Sequence, residues 1–202
     1  MIVRVSILAL LIAGNAAMAA NSMAPPPPLF TADPERSTLQ FSFRQAGAIS
    51  NGRFGRFTTE FRFDAGNLAA SSLAVNVEVA SLDTKDKERD ELLRGADLFL
   101  VAKYPGATFR SASLSRRKDG NYEALGKLTI RGISRQLRLP LAVQITRRAD
   151  LTTMTLRGTT IIRRLDFGVG QGDWKSTEWV GNDVTIRFDV LLTTAAAPAN
   201  GK

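Results

Sequence analysis

Apolar residues recur at every second position along most of this chain, and that periodicity commits it to β-structure with one buried face per strand. The clearest stripe is Leu137, Leu139, Leu141, Val143 and Ile145, alternating with Gln136, Arg138, Pro140, Ala142 and Gln144. Leu39, Phe41 and Phe43 make an earlier one, followed by Phe57, Thr59, Phe61 and Phe63, then by Leu73, Val75, Val77 and Val79. Further strands are predicted over Ala107 to Leu114, Tyr122 to Arg131, Arg135 to Ile145, Leu151 to Ile162 and Val184 to Leu192. Asp119-Gly120 reads as a hairpin turn. Pro140 cannot donate to a ladder, so it implies an edge or a bulge. Eight strand candidates with mostly local connections predict an all-β antiparallel meander, which a sandwich or a closed barrel satisfies equally. An eight-stranded barrel is either filled by its own side chains or holds one small ligand.

One long segment breaks the alternation. Between Lys85 and Lys103 the chain is predicted to open with a short helix capped by Asp83 or Thr84. Asp86 and Glu88 fall near its positive end, and Leu92, Leu93, Leu98 and Phe99 supply apolar contact. Tyr104-Pro105 ends the segment and relaunches a strand. Excursions of this length are usually functional; here the choice is between a plug sealing one end and a lid that admits a ligand. A glycine-rich stretch runs from Arg163 to Gly181. Its Gly168-x-Gly170-x-Gly172 brings the third glycine one residue early for a dinucleotide fingerprint, with no helix pattern after it. The glycines suit a wide loop or a tight rim turn. Trp174 and Trp179 are read as rim anchors or core plugs.

Residues 1–19 read as a signal peptide: Arg4, an apolar run from Ile7 to Ala13, and Ala17-Met18-Ala19 with cleavage expected after Ala19. The expected compartment is the periplasm. Residues 20–31, with prolines from Pro25 to Pro28, are expected to be a linker, 32–193 the folded domain, and 194–202 a disordered tail. The chain contains no cysteine and no histidine. That removes disulfides, a lipid-modified cysteine, a cysteine nucleophile, a Ser-His-Asp triad and a typical zinc site; no catalytic residue, cofactor or metal is assigned. The net charge of +8 would suggest nucleic acid in a cytoplasmic protein. Behind a signal peptide it points instead to transient contact with an anionic membrane surface, or simply to solubility, and no nucleic-acid partner is expected.

Several pieces in order resemble the YceI family of periplasmic, lipocalin-like proteins. They are Asp33 to Phe43, Gly52 to Asp64, and Ser81-x-x-Thr84 with Arg89-Asp90, Leu93, Phe99, Tyr104-Pro105 and Phe109-x-Ser111. Gly126-x-Leu128-Thr129-Ile130-x-Gly132 and Arg164-x-Asp166-Phe167-Gly168 complete the set, so the resemblance covers about residues 33–192. It implies an extended eight-stranded antiparallel β-barrel with a short helical excursion between strands. It also implies binding of isoprenoid lipids, quinones among them, in an apolar interior. The family often carries histidine before the first-strand serine and after that strand; here Arg36 and Gln45 stand in those places.

With an open barrel, alternation nominates Phe41, Phe43, Phe61, Phe63, Phe109, Leu128, Ile130, Phe167, Ile186 and Phe188 as its lining. Arg53, Arg56, Arg163 and Arg164, with Trp174 and Trp179, are the candidate rim, able to meet a phosphate or an anionic membrane. The expected function is to carry or sequester an amphiphilic isoprenoid or quinone-like lipid without catalysis. Alternatives are an interaction or inhibitory module with a packed barrel, a glycosidase drawing two carboxylates from Asp83, Asp86, Glu88, Asp90 and Asp166, and an outer-membrane barrel, which the arginines within the strands oppose. Oligomeric state is left open, a dimer included.

Overall fold

The computed structural model describes residues 25–148 and 151–194. The expected signal peptide, the start of the expected linker and the tail beyond Thr194 lie outside the described residues. The strands are β1 (Leu29–Ala32), β2 (Thr38–Gln45), β3 (Ala48–Phe54), β4 (Phe57–Arg62), β5 (Ser72–Glu78), β6 (Leu82–Asp83), β7 (Gly106–Arg116), β8 (Tyr122–Ile130), β9 (Ile133–Arg148), β10 (Leu151–Arg163) and β11 (Val180–Thr194). The single α-helix among the described residues, α1 (Lys87–Arg94), lies between β6 and β7.

These segments make eight antiparallel staves. β1 and β2 both pair with β11, β3 pairs with β2 while β4 pairs with β1, and β6 continues the line of β5 along β3. The first three staves are therefore each broken once. The remaining staves, β7 to β11, run in sequence order, and β11 closes the barrel against β1 and β2. Closure leaves the ring without a continuous free edge; the β9–β10 ladder stops part-way, at Ala142 opposite Arg157.

Two sequence expectations shift. The folded domain begins inside the expected linker: Leu29–Ala32 is a strand, and Phe30 is 3% exposed between β4 and β11. The helix is capped by Asp86, whose carboxylate accepts from the Arg89 N–H at 3.1 Å, rather than by Asp83 or Thr84. Those two residues are used just before it. Asp83 accepts from the Lys85 N–H, and Thr84 donates both N–H and hydroxyl to the buried Asp90 carboxylate at 2.9 and 2.7 Å.

Pro140 sits where the β9–β10 ladder has ended. That register stops at Arg157 opposite Ala142, and Pro140 pairs only with Glu123 of β8. It marks a local edge inside a closed barrel, as a residue without an N–H should.

In a meander, alternate connections fall at the same end. One end holds the turn at Ala46-Gly47, the excursion 84–105, the turn at Arg131-Gly132 and the loop 164–179. The barrel thus has two long excursions rather than one, side by side. The Gly170 and Gln171 N–H groups donate to the Asp97 carbonyl at 3.0 and 2.8 Å, and Arg131 donates to the Leu98 carbonyl. Arg94 ties the helix down to the Ala80 and Leu82 carbonyls at 3.1 and 2.7 Å. The opposite end carries the loop 63–71, the hairpin turn around Asp119-Gly120, the start of β1 and the end of β11.

Candidate functional site

A cavity of about 350 Å³ occupies the half of the barrel beneath the two excursions. Its floor lies at the same level on strand after strand. On β11 it is lined by Val184, Ile186, Phe188 and Val190, whereas Leu192, the next inward residue, is packed. On β10 the boundary falls between Leu156 and Met154, on β9 between Leu139 and Leu141, and on β4 between Thr59 and Phe61. Below it the barrel is solid. Phe61 lies tilted against Phe63 at 4.9 Å between ring centres, the Phe63 ring meets Tyr122 edge-on at 5.0 Å, and Phe30, Met154 and Leu192 complete the plug.

Three glycines keep the upper half open. Gly52 lies opposite Phe41 and Gly158 opposite Phe188, while Gly126 lies beside Phe109. A β-carbon on these glycines would fall 2.3, 2.3 and 2.6 Å from the respective ring tips. Each ring therefore lies across bare backbone on the barrel wall instead of projecting into the bore.

Charged groups gather at one end of the cavity. Asp86, Glu88 and Arg89 come from the start of α1, and Gln45 is the last inward residue of β2, following Leu39, Phe41 and Phe43. Gln45, standing where the family resemblance leads one to expect histidine, accepts from the Ser50 hydroxyl at 3.3 Å. Arg89 is paired with Asp86 at 3.0 Å.

The expected basic rim takes a different form. Arg53 pairs with Asp83 at 3.1 Å, Arg56 with Glu78 at 2.5 Å and Arg163 with Asp166 at 3.0 Å, all on the exposed surface. None of the three lines the cavity. The Arg56 hydrogen bonds hold the Glu78 carboxyl below its ordinary value. The backbone N–H of Lys85, helped by the Lys85 and Arg53 side chains, brings Asp83 down to about 2.

Arg164 is 5% exposed, and burial pulls its pKa below the ordinary guanidinium value. Its five N–H donors are all spent on backbone carbonyls: Gly181, Val169, Trp174, Ser176 and Val180, at 2.7–3.0 Å. This cation organises the glycine-rich loop. A β-carbon at Gly170, where φ is +118°, would fall 1.9 Å from the Arg164 guanidinium, so this glycine makes room for the arginine.

Eight of the ten nominated lining residues face the cavity: Phe41, Phe43, Phe109, Leu128, Ile130, Phe167, Ile186 and Phe188. Phe61 and Phe63 do not; they point inward as their parity requires, but at the level of the plug. Trp174 lines the cavity, whereas Trp179 is 67% exposed and away from it. Phe54, Leu92, Leu93, Phe99 and Val169 add lining that alternation does not nominate. Of these, Leu92, Leu93 and Phe99 carry a sequence signal as the apolar residues of the excursion.

The YceI-like domain profile matches residues 30–192. A UPF0312 protein of Vibrio cholerae is 39% identical over 97 residues, 48% of this chain and 51% of that protein. A UPF0312 protein of Yersinia pestis is 35% identical over 106 residues, 52% of this chain and 55% of its own length. The chain thus spans about half the length of the curated relatives it matches. Among solved structures, BcnA of Burkholderia cenocepacia superposes with a TM-score of 0.73 at 31% identity, over 79% of this chain and 98% of BcnA. A polyisoprenoid binding domain from Saccharophagus degradans superposes with a TM-score of 0.63 at 15% identity, over 82% of this chain and 98% of that one; this is a likeness of fold.

Proposed function

The chain belongs to the YceI-like family, and from that premise we propose that it binds an amphiphilic lipid with an isoprenoid or quinone-like tail in the hollow half of its barrel. The observation that carries this reading is the cavity itself: walls apolar but for Thr59, Thr108 and Thr160, blind at one end and charged only at the other. An apolar tail placed there leaves water at about 0.8 kcal/mol per methylene. A bilayer offers the tail the same gain, so the choice of ligand falls to the cavity's dimensions and to the head group. The polar end presents an amide, two carboxylates and two arginines, Arg89 already paired with Asp86 and Arg164 with every donor spent on backbone carbonyls. That arrangement suits a hydroxyl or carbonyl head better than a phosphate. The fold shared with a polyisoprenoid binding domain supports the architecture, and this chain's own cavity supports the ligand class.

We read the protein as exported to the periplasm, where it carries or sequesters its lipid and touches the anionic membrane surface transiently through its net charge of +8. Binding rather than catalysis is supported by the state of the carboxylates that glycoside chemistry would need. Asp83 and Asp166 are ion-paired, Asp86 caps a helix and Asp90 is spent on Thr84, which leaves Glu88 without a second uncommitted carboxylate to work with. The packed-barrel interaction module loses its premise in the hollow half. The test is to purify the exported protein without detergent and extract it for lipid mass spectrometry. A stoichiometric prenyl lipid or quinone, absent from an equally basic control protein, supports the reading. A clean extract, repeated after incubation with prenyl lipids, overturns it.

A further inference from the structure

The wall of the cavity is not equally sealed all the way round. Resting on the lipid-binding reading above, we propose that the seam between β9 and β10 is the portal for the ligand, which passes sideways through the barrel wall and not down through the roof. The β9–β10 ladder ends at Ala142 opposite Arg157, yet β9 extends back from there to Ile133 and β10 on to Arg163. Along this stretch β9 pairs only with β8, and β10 only with β11. The strands part at a defined point. Pro140 has no N–H with which to continue the ladder, and its carbonyl oxygen would lie 2.4 Å from a β-carbon at Gly158. At the far end Ile133 comes up against the glycine-rich loop, 3.2 Å from where a β-carbon of Gly168 would stand. From Ile133 to Pro140 the window is about 20 Å long.

This window opens on the hollow half. Leu137 and Leu139 on one margin, and Thr160 and Ile162 on the other, all line the cavity. Beside the plug the ladder is unbroken, from Ala142 and Arg157 to Arg148 and Leu151. The two routes differ in what must break. Lifting the roof breaks the Arg94 bonds to Ala80 and Leu82, the Gly170 and Gln171 bonds to Asp97, and part of the Arg164 network. Spreading the seam breaks no ladder bond, only contacts between side chains. Arg135, Arg138 and Pro140 along one margin discourage another strand from adding to it. On the other, the exposed Ile161 gives a passing tail an apolar lip.

The chain has no cysteine, so introduced pairs are its only thiols. Arg138→Cys with Ile161→Cys puts one on each margin, both on exposed residues outside the cavity, and a short cleavable bis-maleimide then bolts the seam. Gln144→Cys with Thr155→Cys sets the same link across the intact ladder, and Asp97→Cys with Asp173→Cys sets it across the two excursions of the roof. Each full, detergent-free protein is mixed with vesicles holding deuterated farnesol, geranylgeraniol and a short-tailed ubiquinone, and its labelled lipid is followed over time by mass spectrometry. The bolted seam should slow uptake at least about tenfold, cleaving the linker should restore it, and the other two links should change it less than about twofold. Gln136→Cys with Arg163→Cys, further along the window, makes the same test should the first pair fail to fold. Uptake at the unlinked rate with the seam bolted overturns the portal and leaves lipid binding standing. A roof or ladder link that slows uptake as much as the seam link also overturns it. No uptake of any member by the unlinked protein overturns the binding reading, and the portal with it.

Discussion

The two halves of this barrel are built from the same staves with the same inward parity, and both are rich in phenylalanine, yet one is solid and the other hollow. Below the floor, Phe61, Phe63 and Tyr122 meet ring to ring beside Phe30, and none of the glycines that a neighbouring ring covers lies at this level. Above it, Phe41, Phe109 and Phe188 each lie over a glycine on the neighbouring strand and are held against the wall. Apolar content does not decide whether a small barrel encloses space; the residue opposite each ring does. The halves also differ in what stabilises them. The packed half rests on close contact, while the hollow half has fewer neighbours in its bore and is framed by hydrogen bonds to Asp90, Arg94 and Arg164.

The same truncation in each half tests the contrast most strongly. Phe61→Ala should cost about 3–5 kcal/mol in urea unfolding, because it opens a void in a full layer. Phe41→Ala should cost at least about 1 kcal/mol less, since its ring already borders empty space. Equal losses would mean that the hollow half is no looser than the plug. Removing the frame comes next. Arg164→Ala strands several buried carbonyls and should cost at least about 3 kcal/mol, with new protease cleavage between Gly168 and Gly181 but not in the plug-end hairpin. Glycine substitutions sharpen the picture. At Gly126 an added methyl meets the Arg110 carbonyl oxygen at 2.4 Å, backbone that cannot yield, so Gly126→Ala should cost about 1–3 kcal/mol. At Gly52 the atoms nearest the added methyl all belong to the Phe41 ring, which can swing into the bore. Gly52→Ala should then cost less than about 1 kcal/mol while reducing lipid uptake several-fold.

The smallest effect concerns acid. Asp83 titrates at about 2, below its ordinary 3.8, so its contribution is complete above 3.8 and is lost as the pH falls toward 2. Asp83→Asn should flatten that part of the pH–Tm profile and leave the plug's own stability unchanged.

The fold was largely legible because alternation is a direct record of which face is buried. Each of the eight stripes falls on a different stave, and the family resemblance chose barrel over sandwich. What alternation omits is depth. Phe61 and Phe188 carry the same inward signal, yet one is plug and the other wall, because height along the axis depends on registers fixed by pairing. The strand Ala48–Phe54 escaped because Ser50 and Gly52 stand where large apolar residues would have marked its inner face. Phe30 was hidden behind four prolines, whose stiffness carries no information about the residues after them. Arg163 and Arg164 are adjacent and identical in type. One is a surface ion pair and the other a buried organiser, a difference that only the surrounding carbonyls create.

The closing seam has its own consequence. Phe30 pairs with Thr194, and Ser37 exchanges hydrogen bonds with Leu191, 154 positions away. Loop-closure entropy for such contacts is large and is repaid only late, so folding should be slow for a domain of this size. A nascent chain that lacks Val180–Thr194 has every other stave and no way to join the first to the last. Until that strand is delivered the sheet stays an open ribbon with two sticky margins, and the moment of its arrival sets when the container first exists.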